Sequence, residues 1–330
     1  MKELIKKLTE TYGPSGEESQ IREVIIGEIK DHADEIRVDV LGNIIARKAG
    51  SGEKMMLAAH MDEIGLIITN IDDKGFLRFS NIGGVSPFTL IGERVIFENG
   101  TVGVLGMEKP ANLFKNEMKD LKFNNMFIDI GARSKEEALK KVRLGDKAVY
   151  YRNCDILGDC ATAKALDDRA GCAVLIRVLQ NLKSPRFDTY FVFTVQEEVG
   201  VRGAKTSAFG IDPDLAIAVD VTMTGDTPES EKMAVELGKG PAVKVMDRSV
   251  ISHPRIKEML IEAAEKNKIP YQLEVLEMGG TDAGAIHLSR SGVPSGGLSI
   301  PTRYVHTPSE MASIDDIEKA ANLLLCVLEK

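Results

Sequence analysis

Seven residues stand out for the chemistry they could do together: His60, the pairs Asp167, Asp168 and Glu197, Glu198, then Asp220 and His306. His60, the glutamate pair and Asp220 each fall at, or one or two residues past, the end of an apolar run, and His306 lies a few residues past another. Carboxylates crowded on one side of a sheet repel one another, and a cation normally offsets the cost. Two imidazoles with three carboxylates suit two divalent ions of the Zn, Co or Mn kind, because all-oxygen sites favour Mg or Ca and thiolates favour closed structural Zn. Such a pair, bridged by a shared carboxylate, lowers the pKa of a bound water to about 7 and polarises a carbonyl. One more carboxylate must stay off the ions as general base and then acid. Neighbours on an extended chain point to opposite sides, so Glu197 and Glu198 divide these roles, one binding metal and the other facing the water. Asp62 is placed to accept the second ring N–H of His60 and fix its tautomer.

The elements that must position these groups read as α/β. An apolar strand over 54–59 ends at His60, Asp167 and Asp168 open a buried helix over 169–182, and strand 189–195 delivers the glutamates. LAIAVDV at 215–221 is a further buried strand, followed by helix 255–267, strand 271–276, a short helix from Asp282, a strand near 297–300 and a C-terminal helix with Ile314, Ile317, Ala321, Leu324 and Leu328 on one face. Strands alternating with helices imply a mainly parallel mixed sheet flanked by helices, with its site at the carboxyl edge. At the start, helix 2–11 and a Gly13, Pro14 turn precede a second helix opened by a Ser15, Glu18 capping box; strands 36–40 and 43–46 follow. Between Gly65 and Gly158 the texture changes to short β runs, with Asn99 and Gly100 marking a hairpin and Ser134 with Glu137 a second capping box. The expectation is a small β-rich domain over 67–160, inserted into a catalytic α/β domain made of 1–66 and 161–330.

Composition narrows the partners. A chain of 330 residues, 43% hydrophobic and 28% charged, can bury a real core. Its net charge of −8, with acids and bases interleaved, gives no basic footprint, so neither nucleic acid nor anionic membrane is expected. No apolar run approaches the ~18 residues of a spanning helix, and the first residues lack the core of a signal peptide. The four cysteines follow no disulfide spacing, which points to a reducing cytoplasm. No G-x-G-x-x-G follows a strand and no G-x-S-x-G occurs, so a dinucleotide fingerprint and a serine nucleophile both lack support.

The blocks HMDEIG (60–65), ALDDRAG (165–171), VQEEVG (195–200), AVDVTMTGDTP (218–228), GGTDAGAIH (279–287) and RYVHTPSEM (303–311), with GPSGEE (13–18), resemble the TET-type dinuclear metalloaminopeptidases, some of which carry the label endoglucanase. The resemblance spans essentially the whole chain. It implies a phosphorylase/hydrolase-like catalytic domain and peptide substrates. It further implies His60, Asp167, Glu198, Asp220 and His306 as ligands of two ions, with Asp167 bridging, Glu197 as general base, Asp62 orienting His60, and a cis bond between Asp167 and Asp168. It also implies dimerisation through the β-rich insertion and assembly of the dimers into a hollow tetrahedral dodecamer.

Plainer readings compete at several positions. Asp168 is a natural N-cap for helix 169–182. Asp282 is either the N-cap of its short helix or a carboxylate that holds the substrate's ammonium group. His32, His253 and His287 read as surface, loop and packing residues. A glycoside hydrolase built on Glu197 with Asp62 or Asp282 would leave His60 and His306 without a role, and the chain has no Trp and only 5% aromatic residues. A non-catalytic assembly protein with a structural metal would leave Glu197 unused.

Overall fold

The computed structural model describes residues 1–109, 121–230 and 232–329. Helices α1 (Lys2–Glu10) and α2 (Ser19–Ile29) lead into β1 (Glu35–Val38), β2 (Ile44–Lys48) and β3 (Lys54–His60). The chain then leaves for a closed barrel of β4 (Gly65–Ile71), β5 (Leu77–Ile82), β6 (Arg94–Phe97), β7 (Val102–Met107) and β8 (Met126–Asp129), completed, after the short α3 (Lys135–Leu139), by β9 (Lys147–Tyr150). It returns through β10 (Asp155–Leu157), β11 (Cys160–Ala163), α4 (Leu166–Asn181), β12 (Asp188–Thr194), α5 (Arg202–Ile211), β13 (Leu215–Thr222) and β14 (Ala242–Met246). The last elements are α6 (Pro254–Asn267), β15 (Gln272–Val275), α7 (Ala283–Ile286), β16 (Ser295–Arg303), β17 (Glu310–Ser313) and α8 (Ile314–Leu328).

The large sheet runs β1-β2-β12-β3-β13-β16-β17-β11-β10, with β14 paired to β16 and β15 beyond it. Its centre, β12-β3-β13-β16, is parallel, and the strands flanking that centre are antiparallel. Burial explains the sequence texture: every residue of β13 is buried, which requires an unbroken apolar run rather than alternation. Helix α4 is sunk against the sheet, with Cys172, Val174, Leu175, Ile176 and Val178 fully buried. Truncating Leu175 to alanine there would cost about 2–5 kcal/mol. The barrel closes around a separate core that includes Leu77, Leu105 and Ile128. Its β6–β7 hairpin turns at Asn99 and Gly100, where φ is +82° at the glycine.

Three expectations need correcting. Residues 155–160, assigned to the insertion, pair within the large sheet through β10 and β11. Ser15 caps no helix: α2 begins after Glu18 without a side-chain cap, and the Ser15 hydroxyl donates instead to Asp62. Helix α5 had no counterpart in the sequence reading, because its RGAKTSAFGI lacks a strong apolar stripe. Gly203 lies inside this helix, where a Cβ would meet the Val195 backbone.

Candidate active site

The carboxyl edge of the parallel strands gathers the expected residues. His60 ends β3, Asp220 lies near the end of β13, and Glu197 and Glu198 sit in the turn after β12, entered through Gln196 at φ +56°. Asp167 and Asp168 start α4 with non-helical dihedrals, and the bond between them is cis. His306 lies in the β16–β17 connection at φ +62°.

Asp167 is the centre of the arrangement. Its Oδ1 is 3.0 Å from Nε2 of His60, and its Oδ2 is 3.2 Å from Nε2 of His306. A further carboxylate stands beside each ring: Asp220 Oδ1 is 3.9 Å from His60 Nε2, and Glu198 Oε1 is 3.4 Å from His306 Nε2. Two three-residue sets therefore share one carboxylate. Glu197 makes no side-chain hydrogen bond among the described residues, and it faces the same cleft.

The donor set fits divalent cations. Ligand atoms of His60, Asp167 and Glu198 lie within 4.8 Å of one another, as do those of His60, Asp168 and Asp220. Burial pushes Asp168, Glu197 and Asp220 well above the ordinary carboxylate range, and neighbouring carboxylates push them further. Burial opposes charging His60 and His306 too, but Asp167 and Asp62 hold His60 well up, and Asp167 and Glu198 hold His306 up to about 11. The same two rings outweigh burial at Asp167 and hold it low. Negative charge in excess of its protein partners is what a cation would neutralise.

Around these groups, buried carboxylates grip backbone N–H groups. Asp62, fully buried, accepts from Glu197 N at 3.0 Å, from Glu198 N at 3.3 Å and from Ser15 Oγ at 2.6 Å. His60 Nδ1 is nearer the Asp62 backbone carbonyl, at 3.1 Å, than its carboxylate oxygen, at 3.5 Å. The Asp62 main-chain carbonyl thus makes the closer contact with the ring, and its carboxylate the second. Asp168 accepts from Gly171 N at 2.9 Å, as an N-cap does, and from His60 N at 3.2 Å. Asp282 occupies the N-cap position of α7 without a side-chain cap bond, and its Oδ2 accepts from Thr194 Oγ1 at 2.5 Å.

Sequence reasoning missed three contributors. Glu310, inside the RYVHTPSEM block, accepts from both Asp167 N and His306 N. Glu63, next to the expected HMD, pairs with Lys164 at 2.7 Å and ties Gly13 N to the site's rear. Gly83 and Gly84 of the barrel press against Glu198 and His306, where a Cβ at position 84 would sit 2.6 Å from Cε1 of the ring. The cleft itself encloses about 970 Å³, with Val201, Phe209, Met223, Leu276, Met278 and Leu288 as apolar walls.

Residues 42–323 match the family described as M42 glutamyl aminopeptidase. This chain is an M42-family aminopeptidase. A putative aminopeptidase of Acetivibrio thermocellus is 58% identical over 325 residues, 98% of this chain and 97% of that one. A lysyl aminopeptidase of Pyrococcus furiosus is 39% identical over 339 residues, 99% and 96% of the two chains. The solved TET1 peptidase of Pyrococcus horikoshii, which can assemble into a tetrahedron or a large octahedral shell, superposes with a TM-score of 0.89 at 37% identity, covering 99% of each chain. The M42 family is metal-dependent and its named relatives are aminopeptidases, which favours the peptidase reading over the glycosidase and assembly-protein alternatives.

Proposed function

We propose that this aminopeptidase works through two divalent ions, of Zn, Co or Mn, held by His60, Asp167 and Asp220 on one side and by His306, Asp167 and Glu198 on the other. The observation that carries this is Asp167, whose two oxygens face two different imidazoles. When bound, the ions supply Lewis acidity for the scissile carbonyl and acidify the attacking water. Among the described residues Glu197 lines the cleft without a side-chain hydrogen-bond partner, and burial raises its proton affinity. It takes the proton of the attacking water and returns it to the leaving amine. Asp62 holds the turn that carries Glu197 and Glu198, and the Asp62 carbonyl keeps a proton on Nδ1 of His60, leaving Nε2 free to ligate.

The β-rich insertion is the proposed dimerisation module, and a dodecamer the proposed assembly. Its exposed Phe88 and Leu144 support a protein-covered surface. Among the described residues no helix is long and apolar enough to cross a membrane, and none of the four cysteines is paired, in keeping with the proposed cytoplasmic location.

The test is a panel of aminoacyl chromogenic amides, assayed after EDTA stripping and again after Co, Zn or Mn is added. Cleavage should vanish on stripping and return with metal, and the panel's ranking gives the side-chain preference. Cleavage indifferent to EDTA would remove the metal from the reading.

A further inference from the structure

We propose that Glu310 is a positioning residue of the metal centre: one buried carboxylate that sets Asp167 and His306 against each other through their main chains. The inference rests on the reading of those two residues as ligands. Glu310 opens β17 and is 2% exposed. Its Oε2 accepts from Asp167 N at 3.0 Å and its Oε1 from His306 N at 2.8 Å. These two residues are 139 positions apart in the chain, and their side chains meet at 3.2 Å. Glu310 is the register partner of Ala163, four residues before Asp167 along the chain, so β17 carries it directly beside the entry to α4.

The chemistry of the contact requires a carboxylate. Two N–H donors converge from two directions, and each needs an oxygen. Glutamine would offer one oxygen and one NH2 group, which would set donor against donor on one arm. An acid placed beside the ligand Asp167 is a poor choice for structure alone, because like charges repel in a buried site. A cation at the centre offsets that repulsion. His306 also stands at φ +62°, a region that a residue with a side chain occupies only when its surroundings hold it there, and the Glu310 bond is such a hold.

Glu310 completes a pattern. Asp62 takes the N–H groups of Glu197 and Glu198, and Asp168 takes that of His60. The proposed ligands His60, Asp167, Glu198 and His306, and the proposed base Glu197, thus each have their backbone N–H bound by a carboxylate that is not itself a proposed ligand.

The experiment is a Co titration of EDTA-stripped Glu310→Gln and Glu310→Asp, with ions per chain and each dissociation constant as readouts, beside the melting temperature of the stripped proteins. Aspartate keeps the charge but is too short to reach both N–H groups. Both variants should bind the second ion ten to a hundred times more weakly than the parent, while the stripped forms melt within a few degrees of it. Parent-like affinity for both ions in both variants overturns the proposal. A loss of melting temperature with no change in ion affinity does so as well, since it assigns Glu310 to the fold alone. Should Glu310→Gln fail to fold, Glu310→Asp decides. His306→Ala runs as the control: if it binds both ions like the parent, the ligand assignment fails and the proposal falls with it.

Discussion

Replacing Asp62 by asparagine should cut turnover sharply while leaving ions in place at saturating Co, because in the proposed site Asp62 holds the turn and not the metal. Its carboxylate is fully buried and accepts three bonds, from Glu197 N, Glu198 N and Ser15 Oγ. An asparagine keeps one oxygen. Its NH2 must face either Glu197 N or the pair formed by Glu198 N and Ser15, and a buried donor left without an acceptor costs about 1–3 kcal/mol. Losing the charge assistance of the remaining bonds adds about 1 kcal/mol. A total of about 2–4 kcal/mol, borne by the turn that presents Glu197, corresponds to a fall of roughly 30- to 900-fold in kcat/KM. Ser15→Ala removes a single donor and should cost about tenfold. Since both act through one carboxylate, the double variant should fall short of the product of the two losses, with a coupling of about 1 kcal/mol or more. Steady-state hydrolysis of an aminoacyl anilide, with ion content measured in parallel, reads all three. Parent-like kcat/KM in Asp62→Asn, or strictly multiplicative losses in the double variant, would refute the reasoning.

Two further outcomes are expected. Gly84→Ala would drive a methyl into the His306 ring, so the variant should lose affinity for one ion of the two and keep the other; equal retention of both would contradict the packing of the barrel against the site. The stripped protein should melt at progressively lower temperature between about pH 5 and 9. Burial raises Asp168, Glu197 and Asp220, and carboxylate neighbours outweigh burial to raise His306 to about 11, so the folded chain keeps protons that the unfolded chain releases above about pH 4 for the acids and about 6.5 for the imidazole. That stability is lost as pH rises, and bound metal should flatten the curve. A stripped protein whose melting temperature climbs with pH would have the sign wrong.

Much of the site was legible because its proposed ligands come at strand ends, where an apolar run gives way to His60, to the glutamates or to Asp220. What the sequence hid were the residues that hold those ligands. Ser15 with Glu18 has the spacing of a capping box, and nothing local distinguishes a hydroxyl that caps a helix from one that donates to Asp62 across 47 positions. Glu310 acts on main-chain N–H groups, which leave no trace in residue types. Gly84 matters through the absence of a Cβ, visible only once the barrel is docked against His306. Asp282 read as a cap or a substrate contact; it stands at the N-cap position of a four-residue helix, and its contact to Thr194 across 88 positions left no local signal. The antiparallel flanks of the sheet were hidden as well, since β10, β11 and β17 are only three or four residues long and carry little periodicity.

In the proposed mechanism Glu197 does the chemistry while its neighbour Glu198 binds metal. The most direct test strips the parent, Glu197→Gln and Glu198→Gln with EDTA, restores Co, and measures ions per chain and hydrolysis of one good aminoacyl amide. Two ions are expected in the parent and in Glu197→Gln, with turnover of the latter lower by about 10²- to 10⁴-fold, and weakened ion binding in Glu198→Gln. An ion lost from Glu197→Gln, or turnover retained there, would contradict that mechanism.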